Sequence, residues 1–252
     1  MSTADKVLSI LELFTIDNPE WTVDAVGARL NLSGSTAYQY VGSLVKAGLL
    51  VSGKGGRYSI GPAVIELDRL TRRFDPLIHE AQGALQDLVV AADSEAVGLL
   101  CRIYRLQVMC VDQYVPHAPS FAISYERGRP MPLERGAASK AILAHLTSRP
   151  LRRFYDAARS DVAKAGLGSD WDEFKREMRR LRKPGVLVTI GELDPGLMGI
   201  SAPVFDSDGV VMGSIGLVVP SPPFVDVPAR LESVKRAVID AGRSVTQALQ
   251  ER

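Results

Sequence analysis

Ser35, Tyr38, Gln39 and Ser43 repeat at helical spacing, with Thr36 beside them, inside a stretch from Asn31 to Gly61 that holds no Asp or Glu. Hydroxyls, a phenol and a carboxamide are groups that donate to phosphate oxygens, and a Gln side chain can also read adenine bidentately. Residues 32–61 carry Lys46, Lys54 and Arg57 and therefore a local charge of +3, while residues 1–31 set Lys6 and Arg29 against Asp5, Glu12, Asp17, Glu20 and Asp24, a local −3. Counterion release from phosphates favours a basic face, and a face cleared of carboxylates avoids repulsion even where positive charge is sparse. The plain alternative is a solvated polar helix beside an ordinary surface hairpin.

Other groups of residues suggest chemistry less well. Gly48 to Lys54 matches G-x-x-x-x-G-K, but Gly55 follows where a nucleotide site needs a hydroxyl for magnesium, and the expected order is helix before and strand after, the reverse of a phosphate loop. His79, His117 and His145 are far apart and no C-x-x-C occurs, so no metal site is expected. Gly199-Ile200-Ser201-Ala202-Pro203 has Pro where a nucleophile elbow needs Gly, which leaves Ser201 as a strand residue. Cys101 and Cys110 fall opposite each other if a hairpin turns at Arg105-Leu106, so a thiol switch is conceivable, although free Cys in apolar runs ordinarily acts as a small buried hydrophobe. No catalytic residues and no cofactor are expected.

The whole chain sets bounds on these readings. Its 252 residues allow one large domain or two smaller ones, and a formal net charge of +1 excludes a bulk polycation. With two cysteines, no apolar leader and no window approaching a membrane span, a soluble cytoplasmic protein is expected.

The elements that would position the polar face read as follows. Val7, Ile10, Leu11 and Phe14 predict a first helix ending near Asp17-Asn18-Pro19. Thr22 caps a second that stops at Asn31, and Ser33 caps a third that runs to Lys46 and is closed by Gly48. Leu49-Val51 and Arg57-Ile60 flank a glycine-rich turn. Three short helices and a two-stranded wing make a winged helix-turn-helix over residues 1–61, whose candidate DNA contacts are Ser33, Ser35, Thr36, Tyr38, Gln39, Ser43, Lys54 and Arg57. A linker helix follows at 62–75 and ends at Asp75-Pro76.

Residues 76–252 read as an α+β domain. A helix from Leu77 to Ala92 precedes strands at 96–103 and 108–114, helices at 137–146, 149–158 and 171–182, strands at 185–190, 199–205 and 210–219, and a long helix after Pro228. An antiparallel sheet with helices on its faces would enclose a pocket.

These residues resemble the IclR family of bacterial transcription regulators. The likeness rests on Val7-Leu11, on Ser35-Thr36, on Leu44 to Leu49 and on Arg57-Tyr58-Ser59-Ile60-Gly61 in the first domain; in the second it rests on GRPMPLERGAASKAILA from Gly128 and on Gly185 to Val204. The resemblance implies a GAF-like effector-binding domain, homodimers often paired into tetramers, a palindromic or repeated double-stranded operator, and a small organic effector that alters DNA binding. It implies a ligand site of Met131, Leu133, Glu134, Gly136, Ala137 and Ala138, with Thr189, Gly199, Gly216 and Val218 on the pocket floor. The small residues at 136–138 are equally suited to a carboxylate approaching helix amides and to tight helix packing.

Glu134 replaces the family's usual His, Ser139 its usual Gly, and Gln39 a common Arg. The floor positions are small or apolar here, where members binding very small acids present Asp, Cys and Ser. That points to an aromatic or acyl effector with carboxylate-like character. The reading is an effector-responsive DNA-binding regulator; its rivals are a sensing module without DNA binding and an enzyme that uses the C-terminal pocket.

Overall fold

In the computed structural model, residues 2–92 and 95–251 are described, and the chain divides into two compact units, Met1–Asp75 and Pro76–Arg252.

The first unit begins with α1 (Thr3–Ser9), capped by Ser2 and Asp5, which bond each other's backbone amides. The predicted first helix is cut short, because after Ile10 the chain tightens to a 3₁₀ turn at Leu11–Leu13. The indole N–H of Trp21 donates to the Leu13 carbonyl at 2.9 Å, which satisfies a group that a continuing helix would have used. Next come β1 (Trp21–Thr22), α2 (Val23–Leu30), α3 (Gly34–Lys46), β2 (Leu50–Ser52), β3 (Arg57–Ile60) and α4 (Ala63–Phe74). Thr22 caps α2, and Asn31 ends it in the left-handed region at φ 53°. β1, too short to carry a period, pairs Trp21 with Tyr58 and adds a third strand beside β3. Ile10, Val26, Val41, Leu44 and Leu50 form the core of this unit.

Gly61 returns from β3 hard against the end of α3. A Cβ there would stand 2.3 Å from the Gly48 carbonyl oxygen and 2.9 Å from the Leu50 carbonyl carbon, both backbone atoms that cannot swing aside. Gly61→Ala is expected to destabilise the first unit by about 3 kcal/mol, the upper range for forced overpacking. Scanning calorimetry of the whole chain should show one transition lowered and the other unmoved.

The second unit holds α5 (Pro76–Ala91), β4 (Val97–Tyr104), β5 (Gln107–Tyr114), β6 (Pro130–Met131), α6 (Ala137–His145), α7 (Ser148–Lys164), α8 (Trp171–Arg182), β7 (Leu187–Ile190), β8 (Leu197–Phe205), β9 (Val211–Pro220), α9 (Pro222–Val225) and α10 (Pro228–Gln250). The strands form one six-stranded antiparallel sheet in the order β6-β5-β4-β9-β8-β7. Alternation along the strands divides the core in two. Val97, Leu99 and Cys101 of β4 pack with α6, α7 and α8; Leu100 of β4 and Met198, Ile200 and Ala202 of β8 pack with α5 and α10.

β4 and β5 turn on Arg105 and Leu106, both at positive φ (49° and 63°), the backbone that matches a right-handed strand twist. Cys101 and Cys110 are direct cross-strand partners and both are fully buried. The contact between the thiols and their burial push the Cys101 pKa well up, so this thiol is held in its unreactive form.

Candidate functional site

The N-terminus of α6 is the polar end of a small cavity that opens to solvent. Gly136 caps the helix at φ 84°, and a Cβ there would meet Leu193 Cδ1 at 2.7 Å and the Tyr125 hydroxyl at 2.8 Å, so only glycine lets the chain pass between them. Three amides at the start of α6 are matched within the chain. The Gly136 N–H donates to Glu192 Oε2 at 2.9 Å, the Ser139 N–H to the Tyr125 hydroxyl at 3.3 Å, and the Lys140 N–H to the Gly136 carbonyl at 3.0 Å. The N–H groups of Ala137 and Ala138 have no acceptor among the described residues, and both residues line the cavity. A helix N-terminus with two open amides is a place for a negative or acceptor oxygen.

The opposite wall comes from the sheet. Gly199 faces Ala137, and a Cβ on it would lie 3.2 Å from Ala137 Cβ and 3.3 Å from Thr189 Oγ1, so the missing side chain is part of the cavity. Thr189, only 9% exposed, has a side-chain hydroxyl with no hydrogen-bond partner among the described residues and lines the same space. Ser201 donates to the Ile215 carbonyl at 3.1 Å and keeps acceptor capacity. Leu99, Leu197, Leu217 and Val218 supply the apolar surface. Ser214, fully buried, ties α6 to the sheet by donating to the Ala138 carbonyl at 3.0 Å. Burial pushes the Tyr125 phenol pKa well up, with a smaller contribution from Cys101 beside it, so Tyr125 stays a neutral hydroxyl bonded to Ser139 Oγ at 2.8 Å.

In the first unit, α3 buries Ala37, Val41 and Leu44 and exposes Ser35, Tyr38, Gln39, Gly42, Ser43 and Lys46 on the opposite stripe. Several hydroxyls already serve the helix. Ser33 Oγ accepts the Thr36 N–H at 3.3 Å and bonds Thr36 Oγ1 at 2.8 Å, and Ser43 Oγ donates to the Gln39 carbonyl at 3.0 Å. Tyr38, 67% exposed, and Gln39 have no side-chain partner among the described residues. Lys54 is exposed at the tip of the wing, and Arg57 meets Glu20 at 3.5 Å with both side chains more than half exposed. Such a surface pair is weak and yields readily to a phosphate.

Residues 72–247 match the model of the bacterial transcriptional regulator IclR C-terminal domain, and residues 3–53 match the IclR helix-turn-helix domain. The chain belongs to the IclR family. It is a transcriptional regulator with a helix-turn-helix domain followed by the family's C-terminal domain, and not an enzyme. Its relatives include the HTH-type transcriptional regulator BhcR of Paracoccus denitrificans, 25% identical over 244 residues that cover 96% of this chain and 85% of that protein. Among solved structures, an IclR transcriptional regulator from Silicibacter sp. TM1040 is 19% identical with a TM-score of 0.80, covering 99% of this chain and 96% of that one. An IclR homologue from Microbacterium hydrocarbonoxydans, complexed with 4-hydroxybenzoate, is also 19% identical, with a TM-score of 0.73 and 100% of both chains covered. Among the described residues no helix is long and apolar enough to cross a membrane.

In this IclR chain, Gly136, Ala137, Ala138, Thr189, Gly199 and Val218 line the cavity together. Other expected ligand residues lie elsewhere. Met131 and Leu133 are packed in the core, because β6 draws Met131 against Val108. Gly216 is pressed to β8, where a Cβ would stand 2.1 Å from the Ile200 carbonyl oxygen. Glu134, 8% exposed, borders a separate, open depression with Arg135, Lys140, Asp161 and Lys164. Sequence reasoning missed Tyr125 and the segment 191–194, which come from irregular stretches without a period, and Gly42 and Lys46 on α3, which the three-and-four arithmetic from Ser35 does reach.

Proposed function

We propose that this regulator grips double-stranded operator DNA through α3 and the wing, and that an aromatic or acyl carboxylate in the C-terminal cavity alters that grip. The observation that carries the reading is the composition of the cavity: two open helix amides and an unpartnered Thr189 at one end, and leucine and valine walls with a missing side chain at Gly199 for the rest. The amides suit a carboxylate, and the leucine and valine walls beyond them suit an apolar group attached to it. The relative that holds 4-hydroxybenzoate supports the same class of ligand. Operator half-sites would be palindromic or repeated, read by a homodimer or a dimer of dimers.

Calorimetric titration of the full chain with benzoate and 4-hydroxybenzoate, against glyoxylate and pyruvate, tests the ligand class. Saturable binding of an aromatic acid alone is expected; tight saturable binding of glyoxylate or pyruvate would contradict the reading. On the DNA side, Arg57→Ala should weaken all sequences alike by several-fold and lower the salt slope by about 1, whereas Gln39→Ala should change which operator base is preferred. Gel-shift titrations on a set of single-base operator variants separate the two.

A further inference from the structure

Glu192 stands where a bound anion would stand. Its Oε2 accepts the Gly136 N–H at 2.9 Å and its Oε1 accepts from Lys140 Nζ at 2.6 Å, while the Arg135 guanidinium donates to its backbone carbonyl. The Lys140 side chain is only 10% exposed, so this charge is met inside the protein and not by solvent. Gly191 and Glu192 line both the cavity and the depression beside it, which makes them the partition between the two. The segment that carries it is bracketed by Gly191 and Gly196, at φ 63° and 78°. Asp194 fixes its far side by accepting the Ser124 N–H at 2.9 Å and the Ser124 hydroxyl at 2.5 Å, and Leu193 lies against Gly136. Residues 191–196 thus form a strap over the polar end of the cavity, fastened by the chain's own carboxylates.

We infer that Glu192 is an internal competitor for the effector and sets its class: a ligand carboxylate takes the Gly136 amide and the Lys140 ammonium, and Glu192 gives them up to water. The inference rests on the cavity being the effector site. A carboxylate added beside Glu192 would share one buried lysine with a like charge, an arrangement that low-dielectric surroundings disfavour. Displacing Glu192 removes that repulsion, and the ligand then gains donors Glu192 does not use, the Ala137 and Ala138 amides and the Thr189 hydroxyl. A neutral analogue has no claim on Lys140 and cannot displace Glu192 on charge grounds.

The test is calorimetric titration of the full-length wild type, Glu192→Gln and Lys140→Met with 4-hydroxybenzoate and its uncharged amide, 4-hydroxybenzamide, with thermal melts to verify folding. Glu192→Gln keeps the size and the acceptor oxygen but not the charge; Glu192→Ala serves as a second variant should the amide disturb the fold. The acid should bind either Glu192 variant about tenfold tighter than wild type and Lys140→Met about tenfold weaker, with the amide unmoved in Glu192→Gln and Lys140→Met, which remove charge at nearly constant size. Acid affinity unchanged or lowered in Glu192→Gln, with wild type still binding the acid, would overturn the competitor role and leave the effector site standing. Neither ligand binding any folded variant would overturn both.

Discussion

Replacing Gly199 with valine is expected to leave a folded regulator that binds its operator and no longer responds to its effector. The added carbons enter the space between β8 and α6, beginning 3.2 Å from Ala137 Cβ and 3.3 Å from Thr189 Oγ1, where they cover the two groups proposed to hold the ligand. β8 itself suits a β-branched residue, so the strand is not the point of failure. Losing a fitted ligand group to a steric block of this kind costs on the order of 3 kcal/mol, about a 100-fold drop in affinity. Calorimetry with the best aromatic acid measures the loss, and gel shifts with and without that acid measure the missing response. Valine at 199 with effector affinity intact would place the ligand elsewhere.

Tyr38→Ala should be the most damaging single truncation on the DNA side. The ring is 67% exposed on α3 with no side-chain partner among the described residues, so its removal changes the stability of the free protein by no more than about 0.5 kcal/mol. In the proposed complex the same ring would face the duplex with Ser35, Gln39 and Gly42, which share its exposed stripe, and its loss is expected to cost about 2 kcal/mol, roughly 30-fold in operator affinity. Because no charge is removed, the dependence of affinity on salt should stay the same, unlike the change expected for Arg57→Ala. An unchanged melting temperature with a lost gel shift supports the assignment; an unchanged gel shift would take α3 out of the interface.

The fold was legible wherever local signals and tertiary packing agree. α3 begins at a Ser33 cap and ends before Gly48 at φ 72°, α8 begins at an Asp170 side chain that accepts two amides, and the hairpin joining β4 to β5 brings Cys101 opposite Cys110 as the alternation requires. What stayed illegible was set by contacts that no window contains. The Gly136 amide meets the Glu192 carboxylate 56 residues away, and Ser124 meets Asp194 70 residues away, so the strap cannot be read from either loop alone. α1 looked longer than it is because its apolar spacing continues into the 3₁₀ turn, and β1 and β6, at two residues each, exist only through their partners. Glu134 stood among the expected ligand residues through the family resemblance, but it lines the outer depression while Gly136 lines the cavity.

The proposed regulator couples a DNA-reading helix to an acid-binding cavity within one chain. The measurement that tests it most directly is a titration of the purified full-length protein on DNA flanking its own gene, at two salt concentrations, with and without aromatic acids. Saturable binding that weakens steeply with salt and shifts its midpoint with one acid is the predicted result. A folded protein that shows no specific binding at low salt, or whose binding no acid moves, would contradict it.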